Sequence, residues 1–254
     1  MLQIVHKLAI ADHEARKTAL TEQLETIGVD YETQRGNVDG LLVENFIIKF
    51  GDAQKRIVIG AHYDSVDGST GANDNASGVS ILLELIRQFH SEPPAANLEF
   101  VFFDYEEIHA LGSKLYVEEY GSDVLAMINL DICGVGDHVL IAPQKNLQSS
   151  ILAQAVQKVD QSAAPFGILE KLPTGDDCTF EEHGIPNISV CILEEQDVQP
   201  MSVLFSGQTD VPKTAFPPII ETMHNGSRDT VEIVTQEALE MVYTFLYELT
   251  TNLH

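Results

Sequence analysis

The sequence is poor in cysteine and in long apolar runs, and each deficit excludes a class of protein. Its three cysteines form no CxxC pair, which argues against a disulfide scaffold or a structural zinc knuckle and predicts free thiols in a reducing compartment. No apolar run reaches about 18 residues, so no transmembrane helix is expected. The first residues contain no long apolar core followed by a small-residue cleavage site, so we see no signal peptide and predict a cytoplasmic protein.

Basic residues are also scarce. The chain has 14 Lys and Arg residues against 39 Asp and Glu residues, which gives a net charge of −25 over 254 residues. Such a chain repels phosphates and anionic membrane surfaces, so neither nucleic acid nor a membrane is expected as a partner. Hydrophobic residues nevertheless make up 44% of the sequence, which is typical of a globular enzyme. The acidic excess indicates a solvated acidic surface, or carboxylates gathered to hold cations.

Short apolar segments alternate with amphipathic segments along the chain. This pattern predicts an α/β fold, a three-layer sandwich in which helices flank a central mixed, mostly parallel sheet. The absence of a linker indicates one domain over residues 1–254. We expect residues 194–222, which are rich in proline, to form a long loop. The predicted strands are 41–50, 56–61, 98–103, 125–130, 138–142 and 187–193, and the predicted helices are 14–27, 79–89, 111–120, 146–161 and 235–253.

Polar residues follow three of the predicted strands directly. His62 and Asp64 follow the second strand, Glu106 and Glu107 the third, and Asp131 the fourth. In an open α/β sheet the carboxyl ends of such strands meet at one edge, where ligands bind. Singly, each residue has an ordinary explanation as a surface group. Together they bring several carboxylates to one edge, which repel each other unless a cation neutralises them.

Two further segments contribute to the same pattern. Asp74 lies in the run Gly-Ala-Asn-Asp-Asn-Ala-Ser-Gly before a predicted helix, and His224 precedes the last helix. A lone aspartate at such a position is usually a helix cap. Histidine and carboxylate ligands without cysteine, however, are suited to a catalytic zinc or another borderline divalent ion.

The order of these motifs resembles that of the co-catalytic zinc aminopeptidases, the di-zinc exopeptidases whose family also contains the glutaminyl cyclases. The resemblance runs from about Arg56 to the end of the chain. The motifs that carry it are His62-Tyr63-Asp64, the run around Asp74, Glu106-Glu107 followed by Leu111-Gly112-Ser113, Asn129-Leu130-Asp131 and His224.

The resemblance implies a site for two zinc ions. His62 and Asp131 would hold one ion, Glu107 and His224 would hold the other, and Asp74 would bridge them. One departure affects this assignment. The segment that begins at His224 is one residue longer than the usual spacing in the family.

The resemblance also implies the catalytic roles. Glu106 would be the general base that deprotonates a metal-bridging water, and Asp64 would accept the second ring N–H of His62. The substrate would be a peptide or small amide with a free N-terminus. Asp177 and Tyr105 are candidate substrate contacts. Phe205, in the proline-rich stretch of residues 194–222, is a third candidate, since it could line a pocket wall or equally pack that stretch onto the core. Tyr105 is a second departure, since relatives often have a small residue there, and Asp177 could instead be a capping or turn acid.

Other functions remain open on the same residues. A glutaminyl cyclase, an acyltransferase, would hold one zinc through Asp74, Glu107 and His224, but those enzymes line the glutamine pocket with tryptophan, which this chain lacks. A non-catalytic binding module with this fold would typically have lost ligands or the base. A carboxypeptidase or small-amide deacylase would need a cationic clamp, for which Lys171 and Arg228 are available. The oligomeric state, the side-chain preference and the native metal are not indicated by the sequence.

Overall fold

The computed structural model describes residues 1–143, 147, 150–205, 218–223 and 228–253. Within this part of the chain, eight strands form one sheet. They are β1 (Glu32–Val38), β2 (Leu41–Phe50), β3 (Arg56–His62), β4 (Leu98–Phe103), β5 (Val124–Leu130), β6 (His138–Pro143), β7 (Gly167–Ile168) and β8 (Asn187–Leu193). Their order across the sheet is β1-β2-β4-β3-β5-β8-β6-β7.

The four central strands β4, β3, β5 and β8 are mutually parallel. Antiparallel strands flank them, because β2 pairs antiparallel with both β1 and β4, and β6 pairs antiparallel with β8. The central strands are short, apolar and buried on both faces, as expected for parallel strands covered by helices. The prediction of a mixed sheet with a largely parallel centre is confirmed.

Helices cover both faces of the sheet. They are α1 (Leu2–Leu8), α2 (His13–Ile27), α3 (Ser77–Ser91), α4 (Leu111–Tyr120), α5 (Ile151–Lys158), α6 (Asp176–Glu182), α7 (Glu195–Phe205) and α8 (Gln236–Thr251). Successive side chains of β3 point to opposite faces of the sheet and so pack against different helices. Ile57 and Ile59 belong to the core that includes α3 and α8. Val58 belongs to a second core with Tyr116 of α4 and Phe180 of α6. The predicted three-layer sandwich is therefore confirmed.

The sequence reading was wrong for part of residues 194–222. Residues Glu195–Phe205 form helix α7 rather than a loop, and residues 218–222 form a short 3-10 turn. Pro200 lies inside the helix, where it removes one backbone hydrogen bond. The apolar Met201 is fully buried, so packing of this side chain offsets the unfavourable proline. Residues 206–217 lie outside the described part.

Two further helices, α1 and α6, were also not predicted. Both have only seven residues, too few for helical periodicity to be visible in the sequence. Among the described residues, no helix combines the length and the hydropathy needed to cross a membrane.

A buried ionic cluster joins the central strands to α4. Glu99 on β4 is fully buried, and its Oε2 lies 2.9 Å from Nε of Arg56. The hydroxyl of Tyr116 donates a hydrogen bond to the other carboxylate oxygen. These contacts explain how a charged residue is accommodated in the middle of an otherwise apolar strand.

Candidate active site

The carboxyl ends of three neighbouring parallel strands bring together the polar residues expected there. His62 ends β3 and pairs with Phe103 at the end of β4. On the other side of β3, Gly60 pairs with Asn129 of β5, so Asp131 lies just beyond the end of that strand. Glu106 therefore follows β4, and Asp131 follows β5, at the edge where His62 lies.

Three of the predicted metal ligands form a tight cluster. The Nε2 atom of His62 lies 3.1 Å from Oδ1 of Asp74 and 3.5 Å from Oδ1 of Asp131. One ligand atom from each of these residues lies within 4.8 Å of the other two. The side chains of His62 and Asp74 are almost fully buried, and that of Asp131 is 21% exposed. The cluster is thus open to solvent on the side of Asp131.

Asp64 contacts both His62 and the backbone of the two glutamates. Its Oδ1 lies 3.2 Å from Nδ1 of His62 and accepts a hydrogen bond from the backbone N–H of Glu106 at 3.0 Å. Its Oδ2 accepts the backbone N–H of Glu107 at 3.1 Å. A carboxylate on Nδ1 leaves Nε2 of His62 directed at Asp74 and Asp131. Asp64 therefore fixes both the histidine ring and the turn that carries the two glutamates.

Asp74 lies in a wide turn over Ala72–Ala76, where Asp74 and Asn75 have non-helical φ and ψ angles and their peptide bond is cis. The backbone N–H of Ala76 donates to the carbonyl of Gly71 at 2.9 Å and closes this turn. The carboxylate Oδ1 of Asp229 accepts the N–H of Asn73 at 2.6 Å and lies 3.5 Å from the N–H of Asp74. The position of Asp74 therefore depends on residues distant in sequence.

The charges in this cluster shift the pKa values of its members. Burial alone would lower the pKa of His62, but contacts with Asp131, Asp64 and Asp74 raise it well above its ordinary value. Burial raises the pKa of Glu106 well above its ordinary range, although the charge of His62 opposes that shift. The site therefore gathers more negative charge than its own histidine neutralises.

The donor set fits a divalent cation. Nε2 of His62 is buried and makes no hydrogen bond of normal geometry within the described residues, although carboxylate oxygens lie close to it. Imidazole nitrogen with carboxylate oxygens is the ligand set of catalytic zinc sites. A cation between these atoms would relieve the repulsion between Asp74 and Asp131.

Two cavities lie beside the glutamate pair. One, of about 370 Å³, is lined by Glu106 and Glu107 together with the start of α6, including Gly175 and Cys178. The other, of about 410 Å³, is lined by Glu107 and Tyr105 with residues of the N-terminal segment. The two predicted functional glutamates thus face space large enough for substrate groups.

Tyr105 adopts a positive φ of 50°, a conformation that is uncommon for a bulky residue. Its ring stacks on that of His13, with the ring centroids 4.7 Å apart. Nε2 of His13 lies 3.2 Å from Oδ1 of Asp104, which also accepts the backbone N–H of Glu44 through Oδ2. Tyr105 therefore forms a fixed wall of the second cavity, and its role as a substrate contact stays a prediction.

The remaining predicted site residues have different outcomes. Oδ1 of Asp177 accepts the N–H of Gly175 at 3.1 Å. This is a local turn contact, as expected if Asp177 is a turn acid, and its role as a substrate contact stays a prediction. Phe205 ends helix α7, and its side chain is outside the described structure. His224 also lies outside the described residues. The second metal position, which needs His224, therefore stays a prediction.

Asp176 is a site residue that sequence reasoning missed. It is fully buried at the start of α6, and its charge contributes to the raised pKa of Glu106. Burial raises the pKa of Asp176 itself to about 7, opposed by the charge of His62. The doublet of Asp176 and Asp177 was the available signal, but the sequence does not show which member faces the site.

The profile of peptidase family M28 matches residues 45–249 of this sequence. The chain belongs to peptidase family M28. Among curated proteins of known sequence, aminopeptidase YwaD of Bacillus subtilis is 42% identical over 82 residues, which cover 31% of this chain and 18% of YwaD. The chain spans less than a third of the length of the curated relatives that it matches.

Two solved structures superpose on nearly the whole of this chain. The glutaminyl cyclase of Porphyromonas gingivalis superposes with a TM-score of 0.75 at 19% identity, covering 98% of this chain and 95% of the cyclase. A Zn-dependent exopeptidase from Parabacteroides distasonis gives a TM-score of 0.73 at 20% identity, covering 99% and 96%. At such identities the likeness establishes the fold, which this M28 chain shares with both kinds of enzyme.

Proposed function

We propose that the protein is a metal-dependent aminopeptidase, which hydrolyses the N-terminal bond of a peptide or small amide with a free α-amine. The observation that carries this proposal is the convergence of His62, Asp74 and Asp131. By the resemblance to the co-catalytic zinc aminopeptidases, these three residues would form the first metal site of a two-metal peptidase. A single-zinc cyclase would instead use Asp74, Glu107 and His224. Family membership and the likeness to aminopeptidase YwaD also favour a hydrolase.

Zinc is the metal that the donor set favours. His62 and Asp131 would hold one ion, Glu107 and His224 a second, and Asp74 would contribute to both. When bound, such ions polarise a substrate carbonyl and lower the pKa of water.

Glu106 is suited to move the proton in this reaction. Its side chain is 10% exposed and reaches to 4.0 Å from Nε2 of His62, so it is adjacent to the metal cluster without belonging to its tightest part. The carboxylate takes a proton from the attacking water and delivers it to the nitrogen of the departing amine. Each peptide bond broken thus consumes one water and leaves Glu106 as it began. General-base catalysis of this kind contributes about 10²- to 10⁴-fold in rate.

The other residues orient these groups. Asp64 accepts the backbone N–H of Glu106 and faces the ring of His62, so the base and the metal-binding histidine are fixed relative to each other. The cavity of about 370 Å³ beside Glu106 offers room for a substrate side chain. Burial raises the pKa of Glu106, and the charge of buried Asp176 adds to that rise.

The variant Glu106→Gln tests this proposal. It should retain the metal content of the wild type and lose about 10²- to 10⁴-fold in turnover of aminoacyl-p-nitroanilides. Glu118→Gln, an exposed glutamate on α4, is the matched control and should match the wild type in both measurements. Undiminished turnover by Glu106→Gln would exclude Glu106 as the base.

The same assay discriminates the alternatives. Metal is quantified per chain on protein purified without chelator, and glutaminyl-peptides are offered beside the nitroanilides. One zinc per chain with release of ammonia from glutaminyl-peptides would identify a cyclase. Protein without metal and without turnover on either substrate would identify a binding module.

A further inference from the structure

Arg16 is buried close to carboxylates of the proposed metal site, although it belongs to a helix far from the active-site motifs in sequence. It lies on α2, it is 1% exposed, and it precedes the first residue that the M28 profile matches. None of the sequence motifs that resemble the co-catalytic zinc aminopeptidases includes it.

The guanidinium group of Arg16 donates two hydrogen bonds to the segment that leads into Asp74. Nη1 donates to the carbonyl of Thr70 at 2.7 Å, and Nη2 donates to the carbonyl of Gly71 at 2.9 Å. The carbonyl of Gly71 also accepts the N–H of Ala76, the bond that closes the turn around Asp74. Arg16 therefore contacts the anchoring carbonyl of this turn directly.

Asp229 holds the same segment from the other side. It accepts the N–H of Asn73 through Oδ1 and the hydroxyl of Ser69 through Oδ2, and its backbone carbonyl accepts the hydroxyl of Thr70. The turn thus lies between a buried cation and a buried carboxylate. Neither Arg16 nor Asp229 belongs to the proposed ligand set.

Stability alone does not explain a buried arginine here. Burying a charge is costly, and a buried ion pair is often no more stabilising than apolar residues of similar size. Burial lowers the pKa of Arg16, and four nearby carboxylates oppose that shift. They are Asp64, Asp229, Asp74 and Glu107. The guanidinium, which stays charged in proteins, therefore supplies a buried positive charge close to the acidic cluster.

We propose that Arg16 is a positioning residue for the metal site: by bonding to the carbonyls of Thr70 and Gly71 it holds Asp74 in the orientation that a metal ion requires. This inference rests on the metal site proposed above. A second effect of Arg16 has the opposite sign, since its positive charge repels a bound cation. The sign of the change in metal affinity therefore separates positioning from a purely electrostatic role.

The experiment compares Arg16→Met and Arg16→Lys with the wild type. Lys17→Met is the matched control, because it removes one positive charge from the same helix at a residue that contacts Glu14 and Glu44 instead of the turn. Zn²⁺ affinity is measured by competition with a chromophoric chelator. The absorption spectrum of Co²⁺-substituted protein reports the coordination geometry, which a loss of global stability alone would leave unchanged. Hydrogen exchange of the amides of residues 72–76 is measured in chelator.

We expect Arg16→Met to bind Zn²⁺ about 10- to 100-fold more weakly, the usual range for residues that orient metal ligands. Its Co²⁺ spectrum should change, and its turn amides should exchange faster. Arg16→Lys should lose less affinity, because it can still reach a carbonyl, and Lys17→Met should match the wild type. Equal or tighter Zn²⁺ binding by Arg16→Met, with unchanged exchange, would overturn the inference.

A second variant replaces Arg16→Met if that variant does not fold, and amide exchange replaces Zn²⁺ binding if the wild type binds no metal. If Arg16→Met does not fold, Gly71→Ala replaces it, because the added methyl would lie 2.5 Å from Nη1 of Arg16 and 2.7 Å from the carbonyl oxygen of Asp74. It should weaken Zn²⁺ binding, and unaltered binding would count against the inference. If the wild type binds no metal, the proposed function fails by itself. Exchange of the turn amides then still decides whether Arg16 holds the turn.

Discussion

Replacing Asp64 tests how the histidine and the glutamate turn are held together. In the wild type its two carboxylate oxygens serve His62 and the backbone N–H groups of Glu106 and Glu107. In Asp64→Asn one oxygen becomes an NH₂ group, which donates and does not accept, so at least one of these three bonds is lost. Hydrogen bonds to a charged group contribute about 1.5–3 kcal/mol each. Loss of one or two bonds therefore predicts a decrease of about 1.5–6 kcal/mol in the free energy of unfolding.

Metal binding should weaken in the same variant. With the ring of His62 no longer fixed by a carboxylate, we expect a loss of about 10- to 100-fold in Zn²⁺ affinity, which corresponds to about 1.4–2.7 kcal/mol. Urea unfolding in chelator measures the first effect, and chelator competition measures the second. Asp67→Asn, an exposed aspartate three positions along, should change unfolding by less than about 0.5 kcal/mol. An Asp64→Asn protein that equals Asp67→Asn in both measurements would refute this account of the site.

Two further predictions concern charges outside the site. Glu99→Ala should lower the free energy of unfolding by about 3–5 kcal/mol, because it leaves Arg56 partly buried without its carboxylate. Urea unfolding measures this loss. Phe100→Ala, which truncates a buried side chain on the same strand, should lose about 3–5 kcal/mol as well, and a clearly smaller loss in Glu99→Ala than in Phe100→Ala would contradict the prediction. Hydrogen bonds from Lys17 and Arg35 hold the pKa of Glu44 below its ordinary value. Their stabilisation should be complete above the unfolded-state pKa and lost as pH falls through the lower folded-state pKa. Unfolding of Glu44→Gln should therefore depend less on pH between about pH 6 and pH 3, and identical pH profiles would contradict this.

The sheet and the polar residues at its edge were predictable because both follow from local patterns. Apolar strands such as residues 98–103 are bounded by polar residues, and alternation of strands with helices implies parallel neighbours. His62 and Asp131 follow such strands, so their convergence needed no knowledge of distant contacts. The ligand Asp74 was predictable only through the motif around it, because an aspartate before a helix is otherwise read as a cap.

The residues that the sequence did not reveal act across long distances. Arg16 lies on a helix, where an arginine is ordinarily solvated, and nothing nearby in the sequence indicates that it contacts Gly71. The choice between Asp176 and Asp177 depends on the direction in which the first turn of α6 projects each side chain. Helix α7 was missed because Pro200 is unfavourable within a helix, whereas burial of Met201 depends on tertiary packing.

The hydrogen bonds of Arg16 and Asp229 to the turn around Asp74 have a consequence for the order of folding. These contacts join residues 55 and 156 positions apart in the chain, and closing such loops costs chain entropy before the contacts form, which makes non-local contacts slow. We therefore expect the turn to reach its final shape only after α2 and the segment before α8 have both docked on the sheet. If the proposed metal site is correct, we therefore expect high-affinity Zn²⁺ binding to appear only once both segments have docked, so that a partly folded chain would bind the ion weakly.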